Sequence, residues 1–135
     1  MKKYVWMGTI LLLLMRVGCG GGSQSDQVDE SLEAVPTEFA GKVNPLGPEA
    51  VAAGAEVYNS YCVACHGEKG YGDGAAGSSL NPPPRNLVVL QTQVGDDYLF
   101  WKINTGKEGT AMVAWQGILD DEQIWQVVTF IRTLK

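Results

Sequence analysis

Cys62-Val63-Ala64-Cys65-His66 is the stretch from which the rest of the sequence is read. Two thiols three positions apart can each form a thioether with a vinyl group of haem, and a histidine directly after the second falls under the iron as an axial ligand. C-x-x-C-H is therefore a c-type haem attachment sequence. Other chemistries also use paired cysteines. A zinc site needs about four nitrogen or sulfur ligands, and this chain has no second C-x-x-C and no histidine besides His66. A thioredoxin-type dithiol opens a helix inside a βαβ unit, but no alternating strand pattern flanks Cys62. A disulfide across so short a loop would be strained and would close almost no chain. The expectation is one covalently bound haem c per chain, held by Cys62 and Cys65 and ligated by His66.

Upstream, the 135-residue chain begins with Met1-Lys2-Lys3 and an apolar run from Tyr4 to Met15. A charged start followed by a short apolar core is the pattern of a secretory signal. Twelve residues make about 18 Å of helix, too short for a hydrocarbon layer of about 30 Å. Residues 1–18 are thus read as an export signal, which agrees with the motif, because bacteria attach haem covalently outside the cytoplasmic membrane. Val17-Gly18-Cys19-Gly20 resembles a bacterial lipoprotein cleavage site, with Cys19 as the lipidated residue, although Arg16 stands where that pattern usually has an aliphatic side chain. Ordinary cleavage near the glycines, or retention of the segment, are the alternatives.

Residues 19–46 hold glycine, serine, scattered prolines and five acids (Asp26, Asp29, Glu30, Glu33 and Glu38) against Lys42. Such a composition buries too little apolar surface to offset the entropy of ordering, so the stretch is expected to be a flexible, lipid-anchored tether, with docking of Val35 to Phe39 as the alternative. The formal net charge of −5 becomes −8 when Lys2, Lys3 and Arg16 leave with the signal. That field argues against nucleic acid as a partner.

Residues 47–135 read as a domain of three to four short helices around the haem. Pro48 suits a first helical turn, and Val51, Ala55, Tyr58 and Cys62 fall on one face. Gly54 interrupts that helix at a cost of about 1 kcal/mol relative to alanine, which predicts close approach by another backbone. A second helix is predicted from Asp96 to Asn104, with Leu99, Phe100 and Ile103 inward and Gly106 past its end. The last opens with Asp120 as N-cap and Gln123 three residues on, a capping box, and carries Ile124, Val127, Val128, Ile131 and Leu134 as its buried stripe. Gly72-Asp73-Gly74-Ala75-Ala76-Gly77 matches G-x-G-x-x-G formally, but without a preceding strand it is read as turns beside the haem.

Gly54, Tyr58, the C-x-x-C-H, a glycine-rich then proline-rich loop, a lone downstream methionine and a terminal amphipathic helix with Phe130 together resemble a class I cytochrome c. The resemblance covers about Ala50 to Lys135 and implies an all-α fold in which the first and last helices cross beside the haem, Gly54 meeting Phe130. It implies that the carbonyl of Pro83 or Pro84 accepts the free ring N–H of His66. Arg85 is then a haem-propionate partner or a surface arginine, and Trp115 packs near the haem. Met112, in Gly109-Thr110-Ala111-Met112-Val113-Ala114-Trp115, resembles the methionine-ligand loop and is expected as the sixth ligand; Val113 departs from the proline often found there.

His/Met ligation leaves iron no open position and raises its potential, which suits electron transfer. The expected function is a one-electron carrier, not an enzyme, in a bacterial respiratory or photosynthetic chain. Its place would be the periplasmic face of the cytoplasmic membrane, or the cell surface where no outer membrane exists. Its partners would be a quinol-oxidising complex, a dehydrogenase, a terminal oxidase or a reaction centre. The alternative is a fixed cytochrome subunit of a membrane oxidoreductase; a five-coordinate haem sensor or enzyme would require Met112 to be off the iron.

Overall fold

Every regular element in residues 32–135, the part of the chain that the computed structural model describes, is helical, and no β-strand occurs among the described residues. The predicted signal, Cys19 and the first part of the predicted tether lie outside the described residues. A 3-10 turn, Pro48–Ala50, leads into α1 (Val51–Tyr61). A single turn, α2 (Val63–His66), carries the haem motif, and α3 (Leu87–Gln93), α4 (Asp96–Thr105) and α5 (Asp121–Ile131) follow. The fold is all-α, as expected.

Crossing of α1 and α5 organises the core. A Cβ added to Gly54 would lie 2.0 Å from the Gln126 carbonyl oxygen and 2.9 Å from Cβ of Phe130. Only glycine permits that approach. The nearest neighbour is thus the α5 backbone, and the Phe130 ring packs instead on Tyr58, with centroids 5.0 Å apart. α5 starts as its sequence predicts: the Asp120 carboxylate accepts the Gln123 N–H at 2.8 Å, and the Gln123 side-chain oxygen accepts the Asp120 N–H at 3.1 Å. Ile124, Val127, Val128 and Ile131 are buried, and so is Trp125, whose ring stacks on Phe100 at 4.2 Å.

Between the proline-rich segment and α4, the structure adds a helix that the periodicity argument did not anticipate. Asn86 caps α3 by accepting the N–H groups of Val88 and Val89, and Leu87 and Leu90 turn inward. Arg132, just past α5, then ties three helices together. Its guanidinium donates to the α3-end carbonyls of Gln91 and Val94 and pairs with Asp96 at the start of α4, 2.7 Å away.

Residues 32–46 differ from the tether expectation: they lie along the domain as an arm. Leu32, Val35, Phe39 and Leu46 pack against the core, and the Phe39 ring sits 6.3 Å from Phe100. Asn44 donates to the Trp125 carbonyl and to Thr129. The Gly41 N–H donates to Asp97, and Glu33 pairs with Lys102 and Lys107. A few apolar side chains suffice here because the polar groups between them find fixed partners on α4 and α5.

Candidate haem site

The haem motif is short enough to form one helical turn, and that turn decides where its side chains point. The Cys62 carbonyl accepts the N–H groups of Cys65 (3.2 Å) and His66 (2.9 Å). Residues three and four positions apart share a helix face, so both thiols and the imidazole are presented together. The turn is held from behind. Tyr58, fully buried, donates its hydroxyl to the Gly67 carbonyl at 2.7 Å. The glycine-rich loop wraps the far side, where Ala76, Gly74 and Gly72 donate their N–H groups to the carbonyls of Ala64, Cys65 and His66. Gly74 comes so near that a Cβ there would lie 2.4 Å from the Ala64 carbonyl oxygen. The G-x-G-x-x-G match thus has a structural role: its backbone satisfies the C-terminal carbonyls of the motif turn.

Cys62, Cys65, His66 and Met112 all line one cavity of about 390 Å3, within the range of sites that enclose a small cofactor. Its walls come from most of the helices: Tyr58 and Tyr61 of α1, Leu87 and Leu90 of α3, Leu99 and Ile103 of α4, Ile131 of α5, together with the proline-rich segment. Burial there pushes the Cys62 thiol up to about 12, with the neighbouring Cys65 adding to the effect, so Cys62 stands as a neutral thiol. Burial lowers His66, and the contact with the Arg85 carbonyl opposes that shift. The imidazole is therefore held in its neutral, metal-binding form.

The carbonyl facing His66 belongs to Arg85, 3.3 Å from Nδ1. A carbonyl only accepts, so Nδ1 carries the proton and Nε2 keeps its lone pair for a metal. This corrects the expectation of Pro83 or Pro84. The Pro84 carbonyl is turned to Gly72, where an added Cβ would meet it at 2.4 Å. Pro83, Pro84 and Arg85 all still line the cavity. Trp115 lines it too, its ring 5.2 Å from that of Tyr61.

Met112 is presented by a closed loop after α4. Lys107 donates its N–H to the Met112 carbonyl (2.9 Å), and the Met112 N–H returns to the Thr110 hydroxyl (3.1 Å). Beyond it, Trp115 and Gln116 donate to the carbonyls of Ile103 and Asn104, strapping the strand of chain to α4. Lys107 also lines the site, and so does Lys102, which sequence reasoning passed over; Lys102 stands one turn from Leu99 on α4, the signal that could have placed it. Among the described residues no group of three or more His, Cys, Asp or Glu could hold a metal by itself. One imidazole, one thioether and two thiols around an apolar chamber instead suit a metal that brings its own equatorial ligands. The residues present fit a haem.

Residues 49–131 match the family described as "Cytochrome C oxidase, cbb3-type, subunit III". The chain belongs to that family. It is a c-type cytochrome, and the family implies haem c as its cofactor. Among curated proteins it is similar to the Cbb3-type cytochrome c oxidase subunit CcoP of Azospirillum brasilense, 31% identical over 131 residues, covering 94% of this chain and 42% of that protein. It is also similar to Photosystem II extrinsic protein V of Pyropia yezoensis, 32% identical over 66 residues, covering 49% of this chain and 40% of that one. Among solved structures, a chain of the Kuenenia stuttgartiensis reducing HAO-like protein complex superposes with a TM-score of 0.60 at 31% identity, over 65% of this chain and 44% of that one. The chain spans less than half the length of each of these relatives.

Proposed function

We propose that this cytochrome is the mono-haem c-type subunit of a membrane oxidase complex, through which single electrons reach the rest of that complex. One observation carries the reading: a single apolar cavity gathers both thiols, the histidine and the one methionine of the described residues, in a chain whose family is described as an oxidase subunit. The family supports a fixed subunit over the free carrier that the sequence alone favoured.

In this reading Cys62 and Cys65 would anchor one haem c covalently, and His66 through Nε2 and Met112 through its thioether would hold the iron. When bound there, haem c supplies reversible one-electron chemistry at iron. The protein's own part is to keep the site unchanged between redox states. Arg85 fixes the imidazole by its carbonyl, the Lys107–Met112 loop fixes the thioether, and the apolar walls exclude water, which raises the potential. With Met112 and His66 both engaged, no position is left for oxygen or peroxide.

Export to the outer face of the cytoplasmic membrane, with a lipid on Cys19, is part of the same proposal and rests on the apolar run and Val17-Gly18-Cys19-Gly20. The test is capture of the tagged full chain from detergent-solubilised membranes. Co-migration with an integral membrane complex that consumes oxygen is expected. Recovery of the cytochrome alone under the same conditions would return the reading to a free carrier. Cys19→Ser is expected to remove the acyl mass; a variant with unchanged acyl mass would refute the lipid.

A further inference from the structure

Glu33, on the arm, divides its carboxylate between two lysines of the cavity wall. One oxygen lies 2.5 Å from Lys102 Nζ and the other 3.3 Å from Lys107 Nζ. The two lysines have different jobs. Lys102 is a platform: its side chain is 14% exposed, and its ammonium stands 3.7 Å from the centre of the Trp101 ring, both residues belonging to α4. Lys107 is the hub of the methionine loop. Its N–H binds the Met112 carbonyl, and its carbonyl accepts both the N–H (3.2 Å) and the hydroxyl (2.8 Å) of Thr110, the residue whose hydroxyl receives the Met112 N–H.

We propose that Glu33 is a positioning residue for Met112, acting through Lys107: the arm's carboxylate locks the methionine loop to α4. This rests on the reading of Met112 as an iron ligand. Two like charges that share one carboxylate repel each other once it is gone. Lys107 then loses its link to Lys102, and the backbone hub that holds Met112 is freed with it. The segment of chain that enters the domain thereby gains a hold on the sixth ligand, without touching it.

The experiment uses the haem-loaded full chain in the ferric state, titrated with imidazole, which competes with a thioether for iron. Before imidazole is added, parent and Glu33→Gln should both show the weak far-red sulfur-to-iron band. Glu33→Gln should then bind imidazole about two- to fivefold more tightly than the parent, the range for loss of a half-exposed ion pair. Lys107→Gln should give the same gain, and the double variant no more than either single one. Equal affinity in parent and Glu33→Gln, with tighter binding in Met112→Ala, overturns the hold of the arm and leaves Met112 as the ligand. A parent without the far-red band, binding imidazole no less tightly than Met112→Ala, overturns both.

Discussion

Gly54 and Met112 are two residues at which one atom more or fewer should be felt, for opposite reasons. At Gly54 even a methyl group meets the Gln126 carbonyl oxygen at 2.0 Å, and a backbone atom in the middle of α5 cannot swing aside. Gly54→Ala should therefore cost about 1–3 kcal/mol in denaturant unfolding of the haem-loaded protein, outweighing the helix preference of alanine, about 1 kcal/mol. A variant more stable than its parent would contradict the crossing. At Met112 the side chain is half-buried at the cavity wall. Met112→Ala should lower the reduction potential and abolish the far-red band, because a soft thioether is lost from iron. A packing role alone would leave the parent without that band and the potential unchanged by the substitution, which would only remove stability through a cavity. Both residues were legible in the sequence: a glycine inside a helical pattern and a lone methionine in a glycine-flanked loop carry chemical signals. The carbonyl that holds His66 was not, since a main-chain acceptor has no residue type to mark it. Three consecutive prolines and Arg85 differ little as bearers of a carbonyl; only the path of the chain past Gly72 selects Arg85.

Elements announce themselves when their polar ends and apolar faces are both written in side chains. α5 did so, through Asp120, Gln123 and its buried stripe, and α4 did so through its acidic start and Gly106. α3 is two turns long, too short for periodicity to stand out, although Asn86 followed by Leu87 and Leu90 is the pattern of a capped helix with one buried edge. Its stability rests on Arg132, which satisfies its terminal carbonyls and joins it to Asp96. Arg132→Ala should destabilise the fold by about 1–3 kcal/mol, the cost of leaving such acceptors unpaired. Lysine should fail to restore the loss, because one ammonium cannot span three partners in the plane of a guanidinium. Full recovery by Arg132→Lys in thermal unfolding would show that charge alone matters there. The arm has its own signature. Hydrogen bonding to Lys102 is the chief reason why Glu33 titrates below its ordinary value of 4.5. A depressed carboxylate contributes stability that is complete above the unfolded value and is lost as pH falls through the native one. The stability difference between parent and Glu33→Gln should thus hold at about 0.5 kcal/mol or less above pH 4.5, since Glu33 is half-exposed, and shrink toward zero in more acid solution. A difference that grows on acidification would contradict the ion pair.

For the molecule as a whole, the order of elements was readable because one pentapeptide names the group around which they pack. Once haem is placed at Cys62, Cys65 and His66, the apolar faces of the later helices need a common partner, and the cavity between them is where it fits. The arm was misread for a whole-chain reason. Composition averaged over residues 19–46 is that of a solvated segment, whereas Leu32, Val35 and Phe39 act singly, each seated by a contact made elsewhere in the sequence. The role of subunit against carrier was equally out of reach, since both would use the same site. All of it depends on haem being joined to this chain. The direct measurement is the intact mass of the denatured protein after extraction with acidified acetone, made from cells able to attach haem. The account predicts that the colour stays with the protein and that its mass exceeds the polypeptide by one haem; colour that leaves in the solvent, with the bare polypeptide mass remaining, would contradict it.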